Sequence, residues 1–262
     1  MKNILDHIIA DKRKEVALKK RLIPQTQFEA SPLFEREGPS LSAALRESST
    51  GIIAEHKRRS PSKQTINQDT NVGLVARGYQ QAGACGMSVL TDIKYFGGSL
   101  EDLVLARASA QLPLLRKEFM IDTYQVFEAK AHGADVILLI AAVLTRQEIK
   151  TLSELAQSLG LEVLLEVHNE TELQKALMPS LNMLGVNNRD LKTFEVSLET
   201  SMALSEKIPA DFVKVSESGI SSISAIQQLK PYGYQGFLVG EHFMKTEDPG
   251  AAAREFIKKL DA

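Results

Sequence analysis

Eight short runs of Val, Ile, Leu and other apolar residues recur along this chain at a regular beat, and they narrow its fold more than any other feature. They fall at 51–57, 87–91, 113–117, 135–140, 161–167, 183–187, 212–216 and 236–240. Continuous apolar runs of this length suit strands buried on both faces, as in a parallel sheet. Between them lie amphipathic stretches of helix length, for example 72–82, 100–109, 124–132 and 223–229. Eight βα units in about 210 residues predict an α/β chain folded as a single (β/α)8 barrel, not an open doubly wound sheet. No Gly-x-Gly-x-x-Gly opens a helical stretch, which argues against a dinucleotide-binding fold.

Of the 262 residues, 44% are hydrophobic, enough for one large core and too many for intrinsic disorder. The 31 basic and 33 acidic residues nearly cancel, so no nucleic-acid partner is expected. A single cysteine, Cys85, can form neither an internal disulfide nor a multi-cysteine metal site. No apolar run reaches the length of a membrane span, and the first residues lack the apolar core of a secretion signal. The expected setting is the cytoplasm, without a membrane partner.

Residues 1–50 stand apart from the beat. Ile4, Ile8, Ile9, Val16 and Leu18 share a loosely helical spacing among many Lys and Arg, which predicts a basic amphipathic helix. A looser stretch through Pro24, Pro32 and Pro39 follows, then a short helix near 41–45. The segment is too small for an independent domain. It reads as an N-terminal helical extension (1–50) on a catalytic barrel (51–262), capping one end of it. A lid over an anionic ligand is the sharper alternative.

Barrels of this kind carry their chemistry where strands end and βα loops begin. Polar residues inside apolar strand runs are therefore the candidates, because burying them is costly. Glu55 and Lys57, two apart at the end of the first run, point to the same side. Lys117 ends the third run, Glu166 the fifth, Asn187 the sixth with Arg189 just beyond, and Ser216-Glu217-Ser218 the seventh. Each alone has a structural explanation, such as a solvated end, an ion pair or a turn. Their convergence on one end of independently placed strands does not. The loops after strands seven and eight supply Ser218-Gly219 and Gly240-Glu241, where backbone N–H groups can meet a phosphate. Ser60 and Lys63 add a hydroxyl and a cation after strand one.

Six blocks then carry a resemblance. They are Glu55-His-Lys-Arg-Arg-Ser-Pro-Ser-Lys63, Ser88-Val-Leu-Thr-Asp-Ile-Lys-Tyr-Phe-Gly-Gly-Ser99 and Leu114-Leu-Arg-Lys-Glu-Phe119, with Leu165-Glu-Val-His168, Gly185-Val-Asn-Asn-Arg-Asp-Leu-Lys-Thr-Phe194 and Val215-Ser-Glu-Ser-Gly-Ile220. In this order, over essentially the whole chain, they resemble the indole-3-glycerol-phosphate synthase family. The resemblance implies a cofactor-free, metal-free ring closure in tryptophan biosynthesis. Its substrate is the phosphosugar-anthranilate 1-(2-carboxyphenylamino)-1-deoxyribulose 5-phosphate, which yields indole-3-glycerol phosphate, carbon dioxide and water. In this reading Lys117 is the general acid, its pKa lowered by a crowded cationic site. Lys57 holds the substrate carboxylate and shares proton delivery, and Glu166 is the general base for dehydration. Glu55, Asn187 and Ser218 orient these groups and the substrate hydroxyls, and Glu217 joins the substrate-binding set. Arg189 either binds the substrate carboxylate or fixes the Asn187 loop. Phe96, Phe119, Leu138 and Leu191 wall the aromatic ring, with core packing as the alternative for each. Ser60, Gly219, Gly240 and Glu241 form the phosphate set.

The chain departs from the family pattern at Gln64, where a glycine is common, at His56, Ile93 and Glu118. None of these is a proposed catalytic group, and His56 is expected to point away from the mouth. Three rivals make different demands. An isomerase barrel wants a cysteine where Glu55 and Lys57 stand. A Schiff-base aldolase on Lys117 or Lys57 would be trapped by borohydride. An inactive scaffold would have lost the ionisable strand ends.

Overall fold

The computed structural model describes residues 4–262; residues 1–3 of the expected extension lie outside the described residues. Eight strands form, β1 (Ile52–His56), β2 (Gly86–Leu90), β3 (Leu114–Lys117), β4 (Val136–Ile140), β5 (Glu162–Val167), β6 (Met183–Asn187), β7 (Val213–Glu217) and β8 (Tyr234–Val239). All pair in parallel in sequence order, and β8 closes onto β1 through the Ile52–Phe237 to Ala54–Val239 register. This is the expected barrel, a TIM barrel, with strand ends within two residues of the apolar runs.

Strand alternation divides the core in two. Outward residues such as Ala54, Val89, Leu139 and Leu165 pack under the surrounding helices. Inward residues such as Ile53, Leu115, Val136, Leu164 and Met183 fill the barrel floor. Along the inward rows of β1, β3, β5 and β7 the chemistry changes from apolar to ionisable, which is how one barrel provides both a core and a site. His56 points outward as expected. Burial and the neighbouring Arg58 push its imidazole down to about 4, so it stays neutral among the helices.

The extension reaches both ends of the barrel. Helix α1 (Ile4–Leu22) brings Ile4, Leu5 and Ile8 to the mouth at the C-terminal ends of the strands. Its buried stripe is Leu5, Ile8, Lys12 and Val16, and the expected Leu18 is half exposed. Two residues beyond Val16, a helix has turned by about 200°, which carries Leu18 to the solvent side. Helix α2 (Gln25–Glu29) follows the outer wall, where Phe28 meets Tyr124 edge-on at 5.0 Å. Helix α3 (Leu41–Glu47) then plugs the opposite end, with Leu41 and Leu45 under the inward floor. At its start, Ser40 Oγ and the Leu41 and Ser42 N–H groups donate to the Glu162 carboxylate of β5 at 2.6, 2.7 and 3.0 Å.

Lys12 fastens α1 to the mouth. Its ammonium is buried among Glu15 at 2.8 Å, Asp92 at 2.9 Å and Glu118 at 3.1 Å. Glu118, which replaces the usual residue after Lys117, thus anchors the extension. Lys12→Met is expected to lose about 3–5 kcal/mol of stability, because Asp92 and Glu118 remain buried without their cation. Urea unfolding of the two proteins measures this.

Candidate active site

The inward ends of the strands open into a cleft of about 400 Å³ roofed by α1. Every residue of the expected catalytic, substrate and phosphate sets lines it, whereas Lys63 and Ser216 do not. From the strands come Glu55, Lys57, Lys117, Leu138, Glu166, Asn187 and Glu217; from the loops come Ser60, Phe96, Phe119, Arg189, Leu191, Ser218, Gly219, Gly240 and Glu241.

At the base of the cleft lies one ionic cluster. Lys57 Nζ meets Glu55 Oε1 at 2.8 Å, and Ser88 Oγ donates to Glu55 Oε2 at 3.2 Å. Lys117 Nζ sits against Glu217 and 3.4 Å from Glu166 Oε2. Asn187 Nδ2 donates to Glu166 Oε1 at 3.1 Å, and Asn187 Oδ1 accepts from the Arg189 N–H at 3.0 Å. Glycines make the room. A Cβ on Gly185 would lie 2.4 Å from Glu217 Oε1, and one on Gly240 would lie 2.6 Å from Glu55 Oε1.

This arrangement corrects the expected electrostatics of Lys117. Its neighbours are carboxylates, not cations. Burial opposes its charge, but Glu217, Glu166 and Glu55 outweigh that and raise its pKa. Glu166 and Glu55 are held below the usual carboxylate value, against burial, chiefly by Lys117 and Lys57 respectively. Three carboxylates face two ammonium groups, so one proton neutralises the cluster. Burial, together with repulsion from Glu166 and Glu55, lifts Glu217 to about 7 despite Lys117.

The sign of the consequence follows from linkage. A carboxyl that holds its proton more tightly in the folded state stabilises the fold below its ordinary 4.5, and loses that contribution as pH rises through about 7. The stability of the natural chain minus that of Glu217→Gln is therefore expected to fall with rising pH across this window. Chemical-denaturation midpoints at several pH values read it directly.

The rim beside the ends of β7 and β8 is built by backbone. Ser218 adopts φ 64° and Gly219 φ 77°, two consecutive left-handed residues that turn the chain under the mouth. Asn188 Nδ2 holds the strained Ser218 carbonyl at 3.1 Å. Opposite it, Gly240 precedes a four-residue helix beginning at Glu241. The Glu241 side chain itself pairs with Lys63 at 2.7 Å, so only its backbone N–H suits an anion. Arg189 Nη1 donates to the Phe194 carbonyl at 3.0 Å and Asp190 caps its own turn, so the two are not paired with each other. Phe96 and Phe119, from the loops after the neighbouring strands β2 and β3, pack on one side of the mouth in a tilted contact with centroids 6.0 Å apart.

The roof over the cleft is the lid that the helical spacing of the extension allowed; Ile4 and Ile8 carried that spacing, whereas Leu5, which also lines the cleft, was not singled out. Not singled out was Lys245, which follows strand eight in a polar stretch without strand periodicity.

Comparison with known proteins adds the following. Residues 5–256 match the family model described as indole-3-glycerol phosphate synthase. A curated protein of that name from Bacteroides thetaiotaomicron is 46% identical over 260 residues, covering 99% of this chain and all of its own length. One of that name from Polaromonas sp. is 46% identical over 261 residues, covering 98% and 99%. Among solved structures, 3-hexulose-6-phosphate synthase from Salmonella typhimurium aligns with a TM-score of 0.64 at 13% identity, covering 80% of this chain and 98% of that one. That likeness concerns the fold alone. No helix among the described residues is long and apolar enough to cross a membrane.

Proposed function

This chain belongs to the indole-3-glycerol phosphate synthase family, and from that premise we propose the division of labour among its mouth residues. The reaction is the decarboxylating, dehydrating ring closure of 1-(2-carboxyphenylamino)-1-deoxyribulose 5-phosphate to indole-3-glycerol phosphate, a step of tryptophan biosynthesis. Lys117 protonates the substrate ketone oxygen as the aromatic carbon attacks it. Lys57, held by Glu55, binds the substrate carboxylate and shares in proton delivery. Glu166, oriented by Asn187, takes the proton lost on dehydration. Glu217 holds Lys117 in place and, with Ser218, contacts the substrate hydroxyls. Arg189 fixes the Asn187 loop through Phe194. Phe96, Phe119, Leu138 and Leu191 flank the anthranilate ring, and Ser60 with the N–H groups of Gly219, Gly240 and Glu241 receives the phosphate. In the 1–50 extension, the described residues 4–50 act as roof and plug to the 51–262 catalytic barrel. The enzyme works in the cytoplasm, where its lone buried Cys85 stays reduced.

The observation that carries this reading is the single ionic cluster of Lys57 and Lys117 with three carboxylates, set between an apolar wall and an N–H-rich rim. A substrate analogue lacking the phosphate tests the rim. Its KM is expected to rise about 100-fold, the ~2.7 kcal/mol of one or two charge-assisted hydrogen bonds, with inorganic phosphate competing against the full substrate. An unchanged KM would remove the phosphate assignment.

A further inference from the structure

Behind the catalytic cleft lies a second cavity of about 790 Å³, between α1 and the loops after β4, β5 and β6. It reaches the surface beside the exposed Asp6, Arg13 and Lys192. The two cavities share Leu5, Asn187, Arg189 and Leu191 as a partition. One ionisable side chain faces both sides of that partition. His168 lines the second cavity, while its Nε2 lies 3.4 Å from Glu166 Oε1 in the first. Two residues beyond Glu166, it repeats the spacing that sets Lys57 beside Glu55.

Two observations make the contact unusual. His168 Nδ1 donates to Glu172 Oε2 at 3.1 Å, and the same oxygen accepts the His168 backbone N–H at 2.8 Å, so the ring is fixed by the Glu170–Ala176 helix. Nε2 is buried without a hydrogen-bond partner. With Nδ1 donating, a neutral ring turns an Nε2 lone pair toward a carboxylate oxygen. Two acceptors so placed repel unless a proton lies between them. The pair therefore holds one exchangeable proton. His168 is buried, which disfavours its charge, but the facing groups Glu172, Glu166 and Glu217 raise its pKa overall. The other charged groups around it, Arg189 from the β6 loop and Asp6 and Arg13 from α1, line the cavity wall.

The reaction gives this proton a use. The substrate carboxylate leaves as neutral carbon dioxide, its electron pair restoring the aromatic ring. The ketone oxygen accepts two protons and leaves as water, and one proton is lost from the methylene carbon. Two protons enter and one departs, so each turnover draws one proton from solvent into a site roofed by α1.

The geometry points to His168 as the residue that passes this proton from the second cavity to Glu166. From the doubly protonated ring, Nε2–H gives its proton to Glu166 Oε1, leaving the neutral ring with Nδ1–H still on Glu172, and Glu166 passes it to Lys117 at 3.4 Å; Nε2 then takes up a solvent proton by way of the second cavity, which restores the imidazolium. Only N–H and O–H bonds are made and broken. His168 is a positioning and relay residue, acting through Glu166, and the inference rests on the proposed proton role of Glu166.

The test uses the full-length enzyme and its natural substrate. His168→Ala is expected to lower kcat about tenfold with KM within about twofold, and added imidazole to restore most of the loss. Glu172→Gln, which keeps a hydrogen-bond acceptor but not the charge, should shift the kcat–pH profile to lower pH, because the ring loses its stabilising neighbour. A kcat for His168→Ala near that of the natural chain overturns the relay. So does a loss that imidazole leaves untouched while Glu172→Gln keeps the natural profile. Glu166→Gln separates the two readings. If it turns over normally, the role of Glu166 falls and the relay with it; if it is inactive while both other variants behave like the natural chain, the relay alone falls.

Discussion

Lys117→Met is expected to lower kcat by about 10²–10⁴-fold, the range a positioned proton donor contributes. It should also raise KM, and the reason lies in the cluster. Lys117 is the ammonium shared by Glu217 and Glu166, with Glu55 close enough to feel its charge. Without it, Lys57 alone faces three buried carboxylates. The site then repels the substrate carboxylate or takes up protons to neutralise itself, so binding and chemistry fail together. Steady-state kinetics following the indole product, with circular dichroism to show the fold retained, measures both effects. Near-natural kcat/KM would remove Lys117 from the mechanism.

Glu166→Gln is expected to cut kcat by about 10²–10³-fold while KM stays within a few-fold. The amide keeps the shape and can still meet Asn187, whose Nδ2 sits 3.1 Å from Oε1 in the natural chain. It cannot accept a proton. A ground-state contact is preserved and a transition-state function is removed, which is the opposite balance from Lys117→Met. The contrast between the two variants is the informative measurement: a rise in KM for one and not the other separates the cation that binds from the base that acts. If Glu166→Gln kept its kcat, the dehydration base would have to be another group.

The barrel was legible because its strands are buried on both faces, so each reads as an unbroken apolar run such as 136–140 or 163–165. The site was legible for a related reason. Strand alternation tells which side a residue takes, and Glu55, Lys57, Lys117, Glu166 and Asn187 interrupt apolar runs on the inward side. What alternation does not tell is which residues meet across the barrel. The carboxylates around Lys117 come from β1, β5 and β7, and from the third run alone the surroundings of Lys117 read as cationic. Lys12 was invisible for the same reason. It sits in a run of Lys and Arg that looks solvent-facing, and two of its three partners, Asp92 and Glu118, lie far along the chain. The path of residues 4–50 to both barrel ends likewise depends on partners such as Glu162, which local spacing does not announce.

That path has a consequence for how the chain is made. Synthesis runs from the N-terminus, so α3 leaves the ribosome before any of the barrel it plugs. The oxygen that receives the Leu41 N–H belongs to a residue 121 positions later, and the inward floor over Leu45 is complete only when β8 has been added. Until then Leu41 has only the early part of its seat, at Gly86 of β2. The complete seat of α3 thus exists only once the last strand has been made, although α1 and α2 find partners such as Asp92, Glu118 and Tyr124 earlier in the chain.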